Sequence, residues 1–208
     1  MFKLSAIVLH LKQMRSYIIF SFMVFFAGII IGGTNSEFHA FLEGQLAGLG
    51  QLKGMVDQSA NPTLTMMIVI FLNNAIKSIL IMYLGAFFGL LPLLFLAVNG
   101  MIIGYLLQRI SETPGSHTVL EVIFKGLLPH GIIEIPAIII ACAYGMKFGT
   151  LILRATGNLL FVRSKLGATG KDIGDFVTRT VPMIVILTVS LLVASIIEST
   201  FTVWLLSL

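Results

Sequence analysis

The stretch from Leu64 to Gln108 reads LTMMIVIFLNNAIKSILIMYLGAFFGLLPLLFLAVNGMIIGYLLQ, and Lys77 is its only charged side chain. A helix that crosses a bilayer needs about 20 predominantly apolar residues, so this stretch is long enough for two. Pro92 suits the first turn of a helix. It divides the stretch into one expected span from Leu64 to about Leu91 and another from Pro92 to Gln108. The whole chain has the same character: of its 208 residues 57% are hydrophobic and 11% charged, with a mean hydropathy of +1.03. A soluble domain has about 45 to 50% and about 25%. A soluble globule, a disordered chain and a collagen are thereby excluded. The lone Cys142 excludes a disulfide scaffold. At about 20 residues per span the length allows about five to seven crossings and no separate soluble catalytic domain.

Working outward, Tyr17 to Ile31 is an uncharged run preceded by Lys3, Lys12 and Arg15. No A-x-A cleavage pattern follows it, so a retained anchor is expected in preference to a signal peptide. Ser36 to Asn61 carries Glu37, Glu43 and Asp57 against Lys53 and reads as an outer segment, a short amphipathic helix on the membrane surface. A loop with Arg109, Glu112, Pro114, Gly115 and His117 precedes a fourth stretch, Val119 to about Tyr144, with breaks expected near Pro129, Gly131 and Pro136. Met146 to Thr180 holds Lys147, Arg154, Arg163, Lys165, Lys171 and Arg179, and Val181 to Leu206 is a last span. Nine Lys and Arg thus fall on one side, and Lys53 and Arg109 on the other. The positive-inside rule puts the nine, and the N-terminus, in the cytoplasm. The net charge of +4 therefore has a topological meaning, and nucleic acid is not an expected partner. The expected architecture is all-α: a single transmembrane domain over residues 1–208 of the cell membrane, a bundle of about five spans with broken helices. Residues 35–62 form its outer segment and 147–180 a basic cytoplasmic connection.

Four glycine pairs at four-residue spacing lie in the apolar runs: Gly28/Gly32, Gly85/Gly89, Gly100/Gly104 and Gly145/Gly149. Such pairs let helix backbones approach closely where lipid provides no hydrophobic drive for association. They read as packing within the bundle, with a homodimer seam as the alternative.

An ionisable side chain at the bilayer centre costs at least about 2.5 to 3.5 kcal/mol on insertion scales, so it normally faces the bundle or water and has a partner. Lys77 lies thirteen residues after Leu64, and Glu134 thirteen after Glu121, which places both at about 20 Å depth. Asn99 falls in the same layer. Asn73 precedes Lys77 by four residues, as His130 precedes Glu134, so each pair shares a helix face. The expectation is an ion pair between Lys77 and Glu134, with Asn73, Asn99 and His130 completing its hydrogen bonds and Asn74 and Glu198 near the cluster. Glu198 reads equally as a fourth partner or as a snorkelling group. The cluster either fixes helix register or marks a proton or ion path.

His130 and Glu134 are two potential metal ligands where zinc needs at least three, so no metal and no cofactor is expected. The run Gly167, Gly170, Lys171 lacks the spacing of a phosphate loop. No Ser, Thr or Cys stands in the His130 to Glu134 ladder as a nucleophile, so an enzyme is not expected. Asn73, Lys77, Gly85 and Gly89 can be laid on His130, Glu134, Gly145 and Gly149 with a three-residue insertion, the pattern of a parallel repeat.

Phe71, Asn73 and Asn74 with the later Gly85 and Gly89, then Asn99, Gly100 and Gly104, then the run P-H-G-x-x-E-x-P-A from Pro129 to Ala137 with Gly145 and Gly149 carry a resemblance. Over about residues 66 to 150 the chain resembles the stage II sporulation protein M family of integral membrane proteins. The resemblance implies a multi-span membrane protein that acts as a scaffold or anchor for cell-wall hydrolases. The expected function is accordingly a non-enzymatic scaffold with those hydrolases or other membrane proteins as partners, and the glycine pairs leave a homo-oligomer open. The alternative function is a small transporter or channel with a Lys77, His130 and Glu134 relay.

Overall fold

The computed structural model describes residues 3–113 and 118–208, so Pro114, Gly115 and His117 of the expected loop lie outside the described residues. Among these, all regular structure is helical: α1 (Leu4–Gln13), α2 (Arg15–Thr34), α3 (His39–Asp57), α4 (Pro62–Leu84), α5 (Leu90–Glu112), α6 (Val119–Glu121), α7 (Leu128–Phe161), α8 (Leu166–Ile197) and α9 (Val203–Leu206). π-helical turns at Val122–Leu127 and Glu198–Thr202 join α6 to α7 and α8 to α9. Five rods are long and apolar enough to cross a membrane: Arg15–Thr34, Pro62–Leu84, Leu90–Glu112, Val119–Phe161 and Arg163–Leu206. The all-α bundle of five spans is as expected.

Local chemistry fixes the starts of the helices. Asn61 accepts the Leu64 N–H at 3.1 Å, with Pro62 in the first turn of α4. Thr118 and Glu121 form a reciprocal capping box ahead of α7, which satisfies two of the otherwise unpaired donors at a helix start. α4 ends at Leu84, short of the expected Leu91, because Gly85–Gly89 forms the turn into α5. Phe88 (φ 56°) and Gly89 (φ 78°) both take left-handed backbone there. Pro92 falls in the first turn of α5, as expected. The breaks expected at Gly131 and Pro136 are absent, and α7 runs through both. A proline removes one helical hydrogen bond, which a membrane helix tolerates when its neighbours hold it. The irregular turn lies upstream, in the π-helix at Val122–Leu127.

The two last rods have 43 and 44 residues. At about 1.5 Å per residue each is roughly 65 Å long, about twice the hydrocarbon core. Their excess is the basic stretch 147–180, which is a helical hairpin built from the end of α7 and the start of α8. Asn158 Nδ2 donates to Thr169 Oγ1 at 2.7 Å, and Arg154 lies 4.0 Å from Asp172 across the hairpin. Tyr17, at the start of α2, hydrogen-bonds Thr150 at 2.9 Å and sits 5.2 Å under the Lys147 ammonium. Leu151–Phe161 therefore extends past the start of α2. On the same side α1 packs on the stem, with His10 edge-on to Tyr144 at 5.4 Å.

The glycine pairs form two seams inside the chain. A Cβ at Gly32 would meet Met101, and one at Gly104 would meet the Ile29 carbonyl, so α2 and α5 touch backbone to backbone. A Cβ at Gly85 would fall on the Gly145 carbonyl and one at Gly149 on Gly89, which seats the α4–α5 turn on α7. Gly28 and Gly100 likewise face each other. The core along these seams includes Phe25, Met82, Leu96, Tyr144 and Leu191, each below 2% exposed. Ile19, Met23 and Ile30 of α2 and Val185, Val189 and Val193 of α8 point outward, as lipid-facing positions do.

Candidate functional site

A cavity of about 480 Å³ lies between these helices, and all seven polar residues of the sequence cluster line it. α4 contributes Asn73, Asn74 and Lys77, α5 Asn99, α7 His130 and Glu134, and the π-turn after α8 Glu198. Gln45, Gly48 and Leu52 of α3 line it from the side of the outer segment. α3 is held there by Leu42, fully buried on Met101 and Tyr105 of α5, and by an exposed contact of 3.8 Å between Arg109 and Glu43. Glu134 lies thirteen residues from Lys147, the level at which α7 passes the start of α2. That is about 20 Å along a helix, well inside a core of about 30 Å.

The hydrogen bonds differ from those expected. Asn74 Nδ2 donates to Glu134 Oε1 at 2.9 Å, and Asn73 Nδ2 donates to Asn74 Oδ1 at 3.0 Å. The carboxylate is thus held by an amide relay from α4. The ion pair expected between Lys77 and Glu134 is not formed: the ion pairs among the described residues are Arg109–Glu43 and Arg154–Asp172. Lys77 lines the same cavity, but Asn74, three residues earlier, is turned to the carboxylate. Asn99 Nδ2 donates to its own helix at Phe95 O, 2.7 Å away, and takes no part in the relay. His130 Nδ1 lies 3.4 Å from Thr202 Oγ1.

Glu198 faces the cavity and joins His130 and Glu134: candidate ligand atoms of the three all lie within 4.8 Å of one another. Glu134 Oε2 is buried and without a hydrogen bond. Two ionised carboxylates at that separation repel by about 3.5 kcal/mol at an effective dielectric constant of about 20. The arrangement therefore favours a positive charge between them, whether a proton or a cation. Thr202 and Gln45 were not singled out from sequence. The four-residue step from Glu198 to Thr202 matches that from His130 to Glu134 and was the available signal; the π-turn that carries it has no sequence signature of its own.

A second cavity of about 250 Å³ shares Asn73, Ile70, Leu52 and Glu198 with the first and reaches Asp57 at the end of α3. Together they join the polar layer to the α3–α4 junction. At the basic end a third cavity of about 300 Å³ is lined by His10, Tyr144 and Arg179. Burial first, then the charges of Arg179 and Lys147, hold the His10 imidazole below its ordinary pKa, and Gln13 opposes them.

Comparison with known proteins gives a concordant result. The chain is 28% identical over 139 residues, 67% of its length, to a Methanocaldococcus jannaschii protein described as uncharacterized, and the match covers 56% of that protein. It is 33% identical over 120 residues, 57% of its length, to a second protein of that archaeon, also described as uncharacterized, and the match covers 64% of it. The chain thus spans between about half and two thirds of the length of these relatives. No solved structure matches it. The family model described as stage II sporulation protein M matches residues 16–203, nearly the whole chain. The run from Pro129 to Ala137 that supplies His130 and Glu134 lies within that match, and this integral membrane protein belongs to the stage II sporulation protein M family.

Proposed function

We propose that the chain is the membrane-embedded element of a small transport system of the cell membrane, and that its polar cavity passes a proton or a cation. The observation that carries this reading is the pair of carboxylates, Glu134 and Glu198, that share a cavity between membrane-spanning helices with no Lys or Arg among the described residues in ion-pair contact. Such groups are costly in a bilayer and normally serve a path. Nine Lys and Arg cluster at the hairpin end, so by the positive-inside rule that end, with α1, is cytoplasmic. α3 then covers the cavity from outside. A proton or cation settling between Glu134 and Glu198 relieves their repulsion, and Lys77 lines the same cavity. The test is flux through purified chain in liposomes, read with an internal pH dye and with cation-sensitive dyes. Flux that falls at least tenfold in Glu134→Gln supports the reading; flux absent, or equal in the variant, overturns it.

A second reading has its own observation. The hairpin tip, Leu159 to Val162, is exposed, with Phe161 84% accessible and Arg163 and Lys165 beside it. A non-enzymatic scaffold of a membrane or cell-wall remodelling complex would present this tip inside and α3 outside to its partners. Copurification of wall hydrolases or membrane partners, lost in Phe161→Asp while flux is absent, would select it.

A further inference from the structure

We infer that His130, Glu134 and Glu198 form a binding site for a divalent first-row transition ion of the Zn²⁺ or Mn²⁺ class. The inference rests on the cavity reading above and deepens it by naming the cation. Three observations carry it. First, one imidazole and two carboxylates from two different rods converge within 4.8 Å. That is the number of protein ligands found in open zinc sites, with the fourth position left to water or solute. Donors about 2.1 Å from a tetrahedral ion stand about 3.4 Å apart, so binding draws the three side chains together by about 1 Å. Second, each α7 ligand has an outer partner. Asn73 donates to Asn74, which donates to Glu134 Oε1, and Oε2 is left buried with no hydrogen bond. His130 Nδ1 lies 3.4 Å from Thr202 Oγ1, an outer contact for the imidazole. Outer contacts of this kind fix ligand orientation and tautomer. Third, the donor set is suited: two carboxyl groups and an imidazole supply oxygen and nitrogen donors, and among the described residues Lys77 is outside ion-pair distance of both acids. A mixed nitrogen and oxygen donor set suits Zn²⁺, Fe²⁺ or Mn²⁺ and has no thiolate to favour copper(I).

Neither sequence position nor helix type disfavours the site. Glu198 and Thr202 lie on the π-helical turn, and turns of this kind occur often at functional sites. The open position faces the cavity of about 480 Å³, which gives an ion room to enter with part of its water.

The experiment uses the full chain in detergent, affinity tag removed and chelator-treated. Zn²⁺ binding is measured by calorimetry, and Mn²⁺ binding by electron paramagnetic resonance on chain labelled with ¹⁵N-histidine. One Zn²⁺ per chain, a ¹⁵N coupling to bound Mn²⁺, and a weakening of at least tenfold in both His130→Ala and Glu198→Gln are expected. Asn74→Ala, which removes only an outer contact, should weaken binding about tenfold, and Asp172→Asn in the hairpin should leave it unchanged. Absence of one-to-one binding, absence of nitrogen coupling in the wild-type chain, or equal affinity in Asp172→Asn and Glu198→Gln overturns the site. The wild-type spectrum decides even if a ligand variant does not fold. Glu134-dependent proton flux without metal binding would overturn this inference and leave the transport reading intact. Metal binding without flux would do the reverse.

Discussion

At the scale of single residues, the layer of polar groups was legible in the sequence because a charge in lipid stands out against its surroundings, and Asn73, Lys77, His130 and Glu134 stand out in that way. Which of them touch was not legible. Successive residues on a helix differ by about 100° in direction, and the difference between Asn73 and Asn74 decides which amide reaches Glu134. A double-mutant cycle reads this directly. Asn74→Ala and Glu134→Gln should show a coupling of about 0.6 to 1.7 kcal/mol in detergent unfolding, the range for hydrogen bonds between membrane helices. Lys77→Met and Glu134→Gln should be additive, and a coupling as large as that of Asn74 would restore the ion pair. His10 gives a second expectation. Its pKa is lowered in the folded chain, so the unfolded state binds the extra proton and stability rises with pH. The contribution is present above the unfolded value of about 6.5 and is lost as pH falls through the lower folded value. Hydrogen-exchange protection across α1, taken relative to the intrinsic rate at each pH, should fall between pH 7 and pH 5, and His10→Phe should flatten that dependence.

At the scale of elements, glycine spacing located both helix seams, because close backbone approach admits few other residues. The same spacing could not say which pair meets which, since every pair offers a similar groove. Gly85 and Gly145 meet at one seam and Gly32 and Gly104 lie at the other, so Gly85→Val should destabilise by about 1 to 3 kcal/mol through overpacking, read as a lower unfolding midpoint in detergent. Gly157, in the hairpin, has nothing within 4 Å of an added Cβ. Gly157→Ala should instead stabilise the chain by about 0.5 to 1 kcal/mol, since a helix interior favours alanine by that amount. Equal effects at the two positions would show that the seams do not bear the close contact described. The π-turns and the uninterrupted course of α7 past Pro136 were hidden from the sequence: both depend on tertiary packing, whereas proline and glycine signal a break only locally.

At the scale of the whole molecule, the alternation of apolar runs gave the number of rods, and their excess length turned an expected basic connection into a helical hairpin. The sidedness proposed from the count of charges can be measured. Cys142 is fully buried, so in a Cys142→Ser chain a single cysteine placed at Phe161 or at Gly48 reports its own compartment. An impermeant maleimide applied to intact cells should label Gly48→Cys and spare Phe161→Cys, and the reverse pattern would invert the orientation. The single helix α7 holds both the cavity-lining His130 and Glu134 near one end and the hairpin tip Phe161 at the other. From Pro136 to Phe161 is about 37 Å of helix. The missing hydrogen bond at Pro136 makes that point the softest along the rod. A tilt of about 5° there, set by what occupies the neighbouring acids, would swing the far end by about 3 Å. Under the proposed reading the rod would be a lever with its fulcrum beside His130 and Glu134, converting occupancy of the polar layer into displacement of the hairpin tip.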